Sequence, residues 1–210
     1  MEIQQLLLLC GVIAGPLFII IFLIEGGLRS GYSSLRQPVS SLAIGERGWI
    51  QQINFIVTGI LMLLCAFGLR LALVSYGGSF WGPFLIVIYA VGLIGAGIFV
   101  TDTTGLPSNL PTPPKRNTPG LLHDLCSVFV FIPLIAAFFV FSHLFAISGA
   151  VGWFIYSAAS GILFAIGFVL FARGFAKIDK IGSIAGLLQR LTIAIGWIWL
   201  ALVALHLLIK

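Results

Sequence analysis

The sequence predicts an all-α polytopic membrane protein, a bundle of about six transmembrane helices, and three observations predict it. Hydrophobic residues make up 60% of the 210 residues and charged residues only 8%, against roughly 25% charged in a soluble domain. The mean hydropathy is +1.17. Six stretches are apolar over the length a bilayer demands, roughly 20 residues at about 1.5 Å each. A chain this poor in charge cannot coat a globule with solvated side chains, so its apolar surface must face lipid. The apolar runs are also too long for barrel strands and lack their alternation.

The first helix is read over Leu6 to Ile24, with Pro16 inside it, and the second over Ile50 to Val74. The third runs over Phe80 to Val100. The fourth runs over Pro119 to Ile147 and contains Pro133; Thr118 is placed to cap it, with Pro119 in its first position. The fifth covers Val151 to Ala172 and the sixth Leu187 to Ile209. Each internal proline removes a backbone donor, so a kink is expected at both. The run Gly92-Leu93-Ile94-Gly95-Ala96-Gly97, and Gly161 with Ala165, predict close helix contacts, since small residues let membrane helices approach. Residues 1–210 are read as one transmembrane domain.

Connections alternate in length. Glu25–Trp49, Thr101–Thr118 and Arg173–Gly186 are long and polar, while Ser75–Ser79 and Ser148–Ala150 are tight. Positive charge follows the same alternation. Arg29, Arg36, Arg47, Lys115, Arg116, Arg173, Lys177, Lys180 and Arg190 belong to the long-loop face, and only Arg70 and Lys210 to the other. The positive-inside rule then expects a multi-pass protein of the cell membrane with its long loops in the cytoplasm and both termini outside. The formal charge of +5 is accordingly read as topology and contact with anionic lipid, not as affinity for nucleic acid. No basic stretch precedes the first apolar run, so the first helix is expected to be retained instead of cleaved. Cys10, Cys65 and Cys126 lie in or beside apolar runs and read as buried free thiols.

Ionisable groups near a bilayer are costly and each needs a reason. On the long-loop face they are Glu25, Asp102, His123, Asp124 and Arg190, together with the hydroxyls of Ser40 and Ser41. One reading gathers them into a polar pocket at the cytoplasmic interface. There His123 would exchange a proton, Asp102 would orient it, and Arg190 with Ser40 and Glu25 would bind substrate. The structural alternative makes them ion pairs and caps that anchor helix ends. His143 and His206, each about one turn from the outer end of a helix, form a second and weaker candidate, as ligands of a haem or metal; otherwise no metal ligand set is visible and no cofactor is indicated. Trp49, Trp81 and Trp153 sit where an interfacial belt would, whereas Trp197 and Trp199 lie deeper and are candidates to line a lipid-like ligand.

Four segments carry a family resemblance: RSGYSSLRQPVSSLAIGERGW after the first helix, FVTD ending the third, LLHD opening the fourth, and GLLQR before the sixth. With these the chain resembles the membrane-protein family known as domain of unknown function 998, over nearly its whole length. The resemblance implies a six-helix membrane protein and singles out Ser40, Asp102, His123 and Arg190. It implies no activity.

Three functions fit. The first is binding or modification of a lipid or isoprenoid at the cytoplasmic interface, with membrane lipids as partners. The second is a structural or accessory subunit of a membrane complex, with a membrane-protein partner or a second copy of the chain. The third is a small transporter, which needs polar groups through the membrane centre. Only Asn54, Thr58, Ser127, Ser157, Ser160 and Thr192 are available for that, and no motif for hydrolysis, phosphate binding or metalloprotease chemistry is present.

Overall fold

A computed structural model describes residues 2–76, 78–102, 116–176 and 180–210. Most of the proline-rich third-to-fourth helix connection, with Lys115, lies outside the described residues, as does Lys177. Among the described residues six α-helices follow in order: α1 (Ile3–Leu28), α2 (Gly48–Ala72), α3 (Trp81–Ile98), α4 (Thr118–Ile147), α5 (Val151–Phe175) and α6 (Ala185–Leu208). Each is long and apolar enough to cross a membrane, and no strand occurs among the described residues. Short 3-10 turns occupy Val39–Ala43, Leu73–Tyr76 and Lys180–Ile184. The fold is therefore the all-α polytopic bundle expected.

Boundaries depart from expectation where side chains satisfy helix ends. α1 begins at Ile3 because Glu2 and Gln5 form a capping box, with the Glu2 amide donating to Gln5 Oε1 at 3.0 Å. It runs on past Ile24 because arginines neutralise Glu25, so the charge can stay in the helix. α4 is capped one residue earlier than expected. Asn117, not Thr118, is the N-cap; its Oδ1 accepts the Gly120 amide at 2.7 Å. Both α1 and α4 continue as helix through Pro16 and Pro133.

The helices close into a ring. Each packs on its neighbours in sequence, and α6 packs back on α1. Apolar side chains such as Ile13, Ile20, Phe67, Ile162 and Val169 face outward and are exposed. Lipid is as apolar as these side chains, so no hydrophobic force holds the helices together, and contact depends on close packing. Gly15 shows how. A Cβ there would overlap the Trp197 carbonyl, so the bare backbone lets α1 meet α6. The Gly92–Gly97 run works on two sides: Gly92 and Gly95 receive Cys126 and Phe129 of α4, and Gly97 lies on Gln52 and Ile56 of α2. Gly161 of α5 likewise lies against Phe138 of α4.

Aromatic side chains fill the half of the ring nearer the short loops. Trp199 is fully buried, lies 4.3 Å from Phe138 and 5.5 Å from Phe141 between ring centroids, and donates its indole N–H to Ser157 Oγ at 3.0 Å. Trp49 and Trp81 are exposed at helix ends, as an interfacial belt requires. The other half of the ring, towards the long loops, is less completely filled.

Gly15→Leu is expected to cost about 3 kcal/mol, since overpacking against backbone cannot relax. Gly27→Leu, which meets nothing within 4 Å, should change stability by less than about 0.5 kcal/mol. Thermal unfolding of both variants in mild detergent checks the pair; equal melting temperatures would contradict the α1–α6 contact.

Candidate functional site

The connection after α1 turns inward and closes the long-loop end of the ring. Val39, Ser41, Leu42 and Ala43 in its 3-10 turn are buried, so its backbone needs partners within the protein. Arg29 donates to the carbonyls of Ile44 (2.6 Å) and Leu42 (3.0 Å), and Gln52 donates to that of Ala43 (3.0 Å). From the start of α6, Gln189 Oε1 accepts the Val39 amide at 2.9 Å, and the Leu187 amide, unpaired within its helix, donates to the Leu35 carbonyl at 3.1 Å.

Arg190 is the main fastening. It is buried, and its Nη1 donates to the carbonyls of Ser34 (2.7 Å), Gln37 (2.9 Å) and Gly186 (2.9 Å). Its Nη2 donates to the Tyr32 hydroxyl, and its guanidinium lies 5.4 Å from the Tyr32 ring centroid and 5.9 Å from that of Phe22. Burial pushes the Tyr32 phenol up, and the Arg190 charge opposes that shift. Among the described residues these contacts are all internal. Arg190 thus holds the loop.

Glu25, the other expected binding carboxylate, is equally engaged. It is buried and pairs with Arg47 at 2.5 Å and Arg29 at 3.4 Å, joining the end of α1 to the start of α2. Its bond to the Arg47 guanidinium raises the pKa of that arginine further.

Asp102 and His123 brace α3 against α4. His123 Nδ1 lies 2.8 Å from the Phe99 carbonyl and 3.1 Å from that of Ala96, oxygens at the C-terminal end of α3. Both are acceptors, so Nδ1 carries the proton. Asp102 lies over the first turn of α4, against Gly120, with Arg116 Nε 4.0 Å from its Oδ2. A carboxylate suits a helix N-terminus and a donor suits a C-terminus. His123 thus caps the end of α3, and Asp102 adds a carboxylate beside the first turn of α4, whose N-cap is Asn117. The two carbonyls hold the imidazole at Nδ1, and no hydrogen bond between Asp102 and His123 is seen among the described residues. Asp124 is exposed and paired with Arg116.

A cavity lies beneath the loop, inside the ring, and all six helices line it. His123, Ser40 and Trp197 belong to its wall, with Phe18, Phe55 and Tyr89. Rings follow one another around it: Tyr89 to Trp197 at 5.6 Å, Trp197 to Phe18 at 5.1 Å, Phe18 to Phe55 at 5.4 Å and Phe55 to His123 at 6.3 Å. Its cavity volume is only about 50 Å³, so it is a narrow slot. Its deep lining is buried; Ser40, Ser127, Val130, Gln189 and Ile193, on the long-loop half, are partly exposed and mark its mouth. A wider depression of about 950 Å³ between Gln4, Val74, Ile147 and Lys210 is on the short-loop face and remote from these residues.

The structure thus brings His123 and Ser40 together in one cavity and leaves Asp102, Glu25 and Arg190 outside it, as braces around its mouth. His143 is exposed on α4, while His206 stacks on Trp153 at 4.3 Å. No group of three or more candidate metal ligands occurs among the described residues. Sequence alone did not single out Tyr89, Gln189, Phe18 or Phe55. A lone tyrosine inside an apolar run was the available signal for Tyr89; nothing distinguished the phenylalanines among eighteen.

A family model described as a protein of unknown function (DUF998) matches residues 12–206. The chain belongs to this family. No curated protein matches the chain, and no solved structure does. In this member of domain of unknown function 998, the four family-like segments coincide with the loop, the α3–α4 junction and the start of α6, and three of them contribute Val39, Ser40, His123 and Gln189 to the cavity lining.

Arg190→Ala is expected to destabilise the protein by about 3–5 kcal/mol, because buried carbonyls lose a charged donor. That corresponds to roughly 10 °C in melting temperature. Arg190→Lys should recover less than half, since an ammonium lacks the planar fork. Melting followed by tryptophan fluorescence checks both; a fully stable lysine variant would mean that charge alone matters.

Proposed function

We propose that this protein binds the hydrocarbon chain of a lipid-like molecule in the cavity inside its helix ring, with the mouth on the cytoplasmic side. The observation that carries the proposal is a narrow, aromatic-walled slot with a few polar side chains concentrated in it and at its mouth. Ligand sites are mostly apolar with a small number of placed polar groups, and a slot this slim suits a chain better than a bulky ring system. The nine basic residues of the long-loop face support the cytoplasmic assignment.

Transport is less well supported. Asn54 donates to the Phe18 carbonyl, Thr58 to that of Asn54, Thr192 to that of Leu188, and Ser157 accepts from Trp199. Most of these donors are thus spent on neighbours, although the buried Asn54 Oδ1 has no hydrogen-bond partner among the described residues. Trp199 and the phenylalanines around it fill the far half of the ring.

Trp197 reports on entry. In nanodiscs, a sixteen-carbon chain brominated at mid-chain should quench tryptophan emission saturably. Trp197→Phe should remove the saturable part, and Ser127→Phe, at the mouth, should weaken binding about tenfold or more. Quenching that rises linearly and identically in all three proteins would show only partition into the bilayer and would refute the proposal. Sidedness is tested separately: terminal tags should be accessible on intact cells and a tag inserted in residues 103–115 should not; an intracellular C-terminal tag would reverse the orientation.

A further inference from the structure

The chemistry of the cavity narrows the class of chain it would take, given that it takes one as proposed above. Its lining contains no Lys, Arg, Asp or Glu among the described residues. Arg190 adjoins the lining residue Gln189, but its guanidinium is committed to three carbonyls and the Tyr32 hydroxyl. A carboxylate or phosphate headgroup drawn into the slot would therefore lose water without gaining a counter-charge, which is strongly unfavourable. With His123 as a neutral imidazole, such a lining suits an uncharged head.

His123 specifies more. Its Nδ1–H is taken by the carbonyls of Ala96 and Phe99. In the neutral imidazole this leaves Nε2 with a lone pair and no proton. Nε2 makes no hydrogen bond within the protein among the described residues, and His123, only 3% exposed overall, lines the cavity. Tyr89, 2% exposed, and Ser127 line the same cavity, and no hydrogen bond of either side chain is seen among the described residues. The site thus offers one fixed acceptor together with hydroxyls that can turn to donate.

We infer that the cavity is a site for a neutral lipid alcohol, whose hydroxyl donates to His123 Nε2 and whose chain lies along the aromatic wall. An ether or ester has no proton to give and leaves the imidazole lone pair unmet. An alcohol meets the acceptor and can also receive a hydrogen bond from a hydroxyl of the wall.

The experiment is competition against the brominated sixteen-carbon chain in nanodiscs, with the intact protein. Four competitors share one chain: hexadecanol, its methyl ether, hexadecane and hexadecanoate, each expressed as mole fraction in the bilayer. Hexadecanol is expected to displace the probe at about tenfold lower mole fraction than the ether or the alkane, the consequence of an unmet buried acceptor. Hexadecanoate should be the weakest. His123→Phe should bring the alcohol to within about twofold of the ether and leave the ether unchanged. Equal displacement by alcohol and ether, or strongest displacement by hexadecanoate, would overturn the inference while leaving chain binding intact. Failure of the brominated chain itself to bind saturably would instead overturn the underlying reading. The headgroup series on the unmodified protein decides the matter even if His123→Phe does not fold.

Discussion

A guanidinium surrounded by four acceptors is the interaction on which the long-loop half of this bundle depends. In lipid every backbone polar group must find its partner inside the protein. The connection after α1 carries non-helical carbonyls into the bundle, and Arg190 answers those of Ser34 and Gln37 while also binding its own helix at Gly186. Lysine could not do this, because only a planar fork reaches several fixed acceptors at once. With the loop held, Val39 and Ser40 become a roof and the ring becomes a chamber.

Around that fastening the remaining charges fall into place. Glu25 pairs with both Arg29 and Arg47, so the buried carboxylate is balanced and the net positive charge of the group is shared with the half-exposed Arg47. Arg29 then reaches the Leu42 and Ile44 carbonyls on the far side of the roof. His123 does for the end of α3 what Arg190 does for the loop, and Asp102 lies against the first turn of α4 beside it. The result is a rigid rim built largely from side-chain-to-backbone bonds, above a slot walled by rings with few polar neighbours.

This division explains what was legible in the sequence. The six helices were, because apolar runs of membrane length have few other uses. That Glu25, Asp102, His123 and Arg190 stand at or near the long-loop ends of their helices was legible too, because charge near a bilayer is rare. Their partners were not. Arg190 reaches a loop more than 150 residues away in sequence, and His123 bonds to carbonyls, which leave no trace in residue identity. For the same reason Asp102 looked like a natural orienter for His123: side chains are visible in a sequence and backbone acceptors are not. Asn117 in place of Thr118 is a smaller case, since both types cap helices and only geometry chooses between them. The cavity itself was illegible, because Phe18 and Phe55 differ from the other phenylalanines only in where the ring turns them.

Anchoring and chemistry were posed as rival explanations of the polar residues, and His123 shows why they need not be. One nitrogen of the ring is tied to α3, which fixes the plane of the imidazole and the position of its proton. That same tie leaves the second nitrogen with a lone pair, in a residue that lines the slot. A side chain used only as a cap could spend its other end on solvent or lipid, as exposed His143 can. Placing an unmet acceptor in an apolar chamber has an energetic cost, and a structure that keeps it there is poised to recover that cost when a donor arrives. The helix cap is what makes the acceptor fixed, and a fixed acceptor is what separates a binding site from a packing defect.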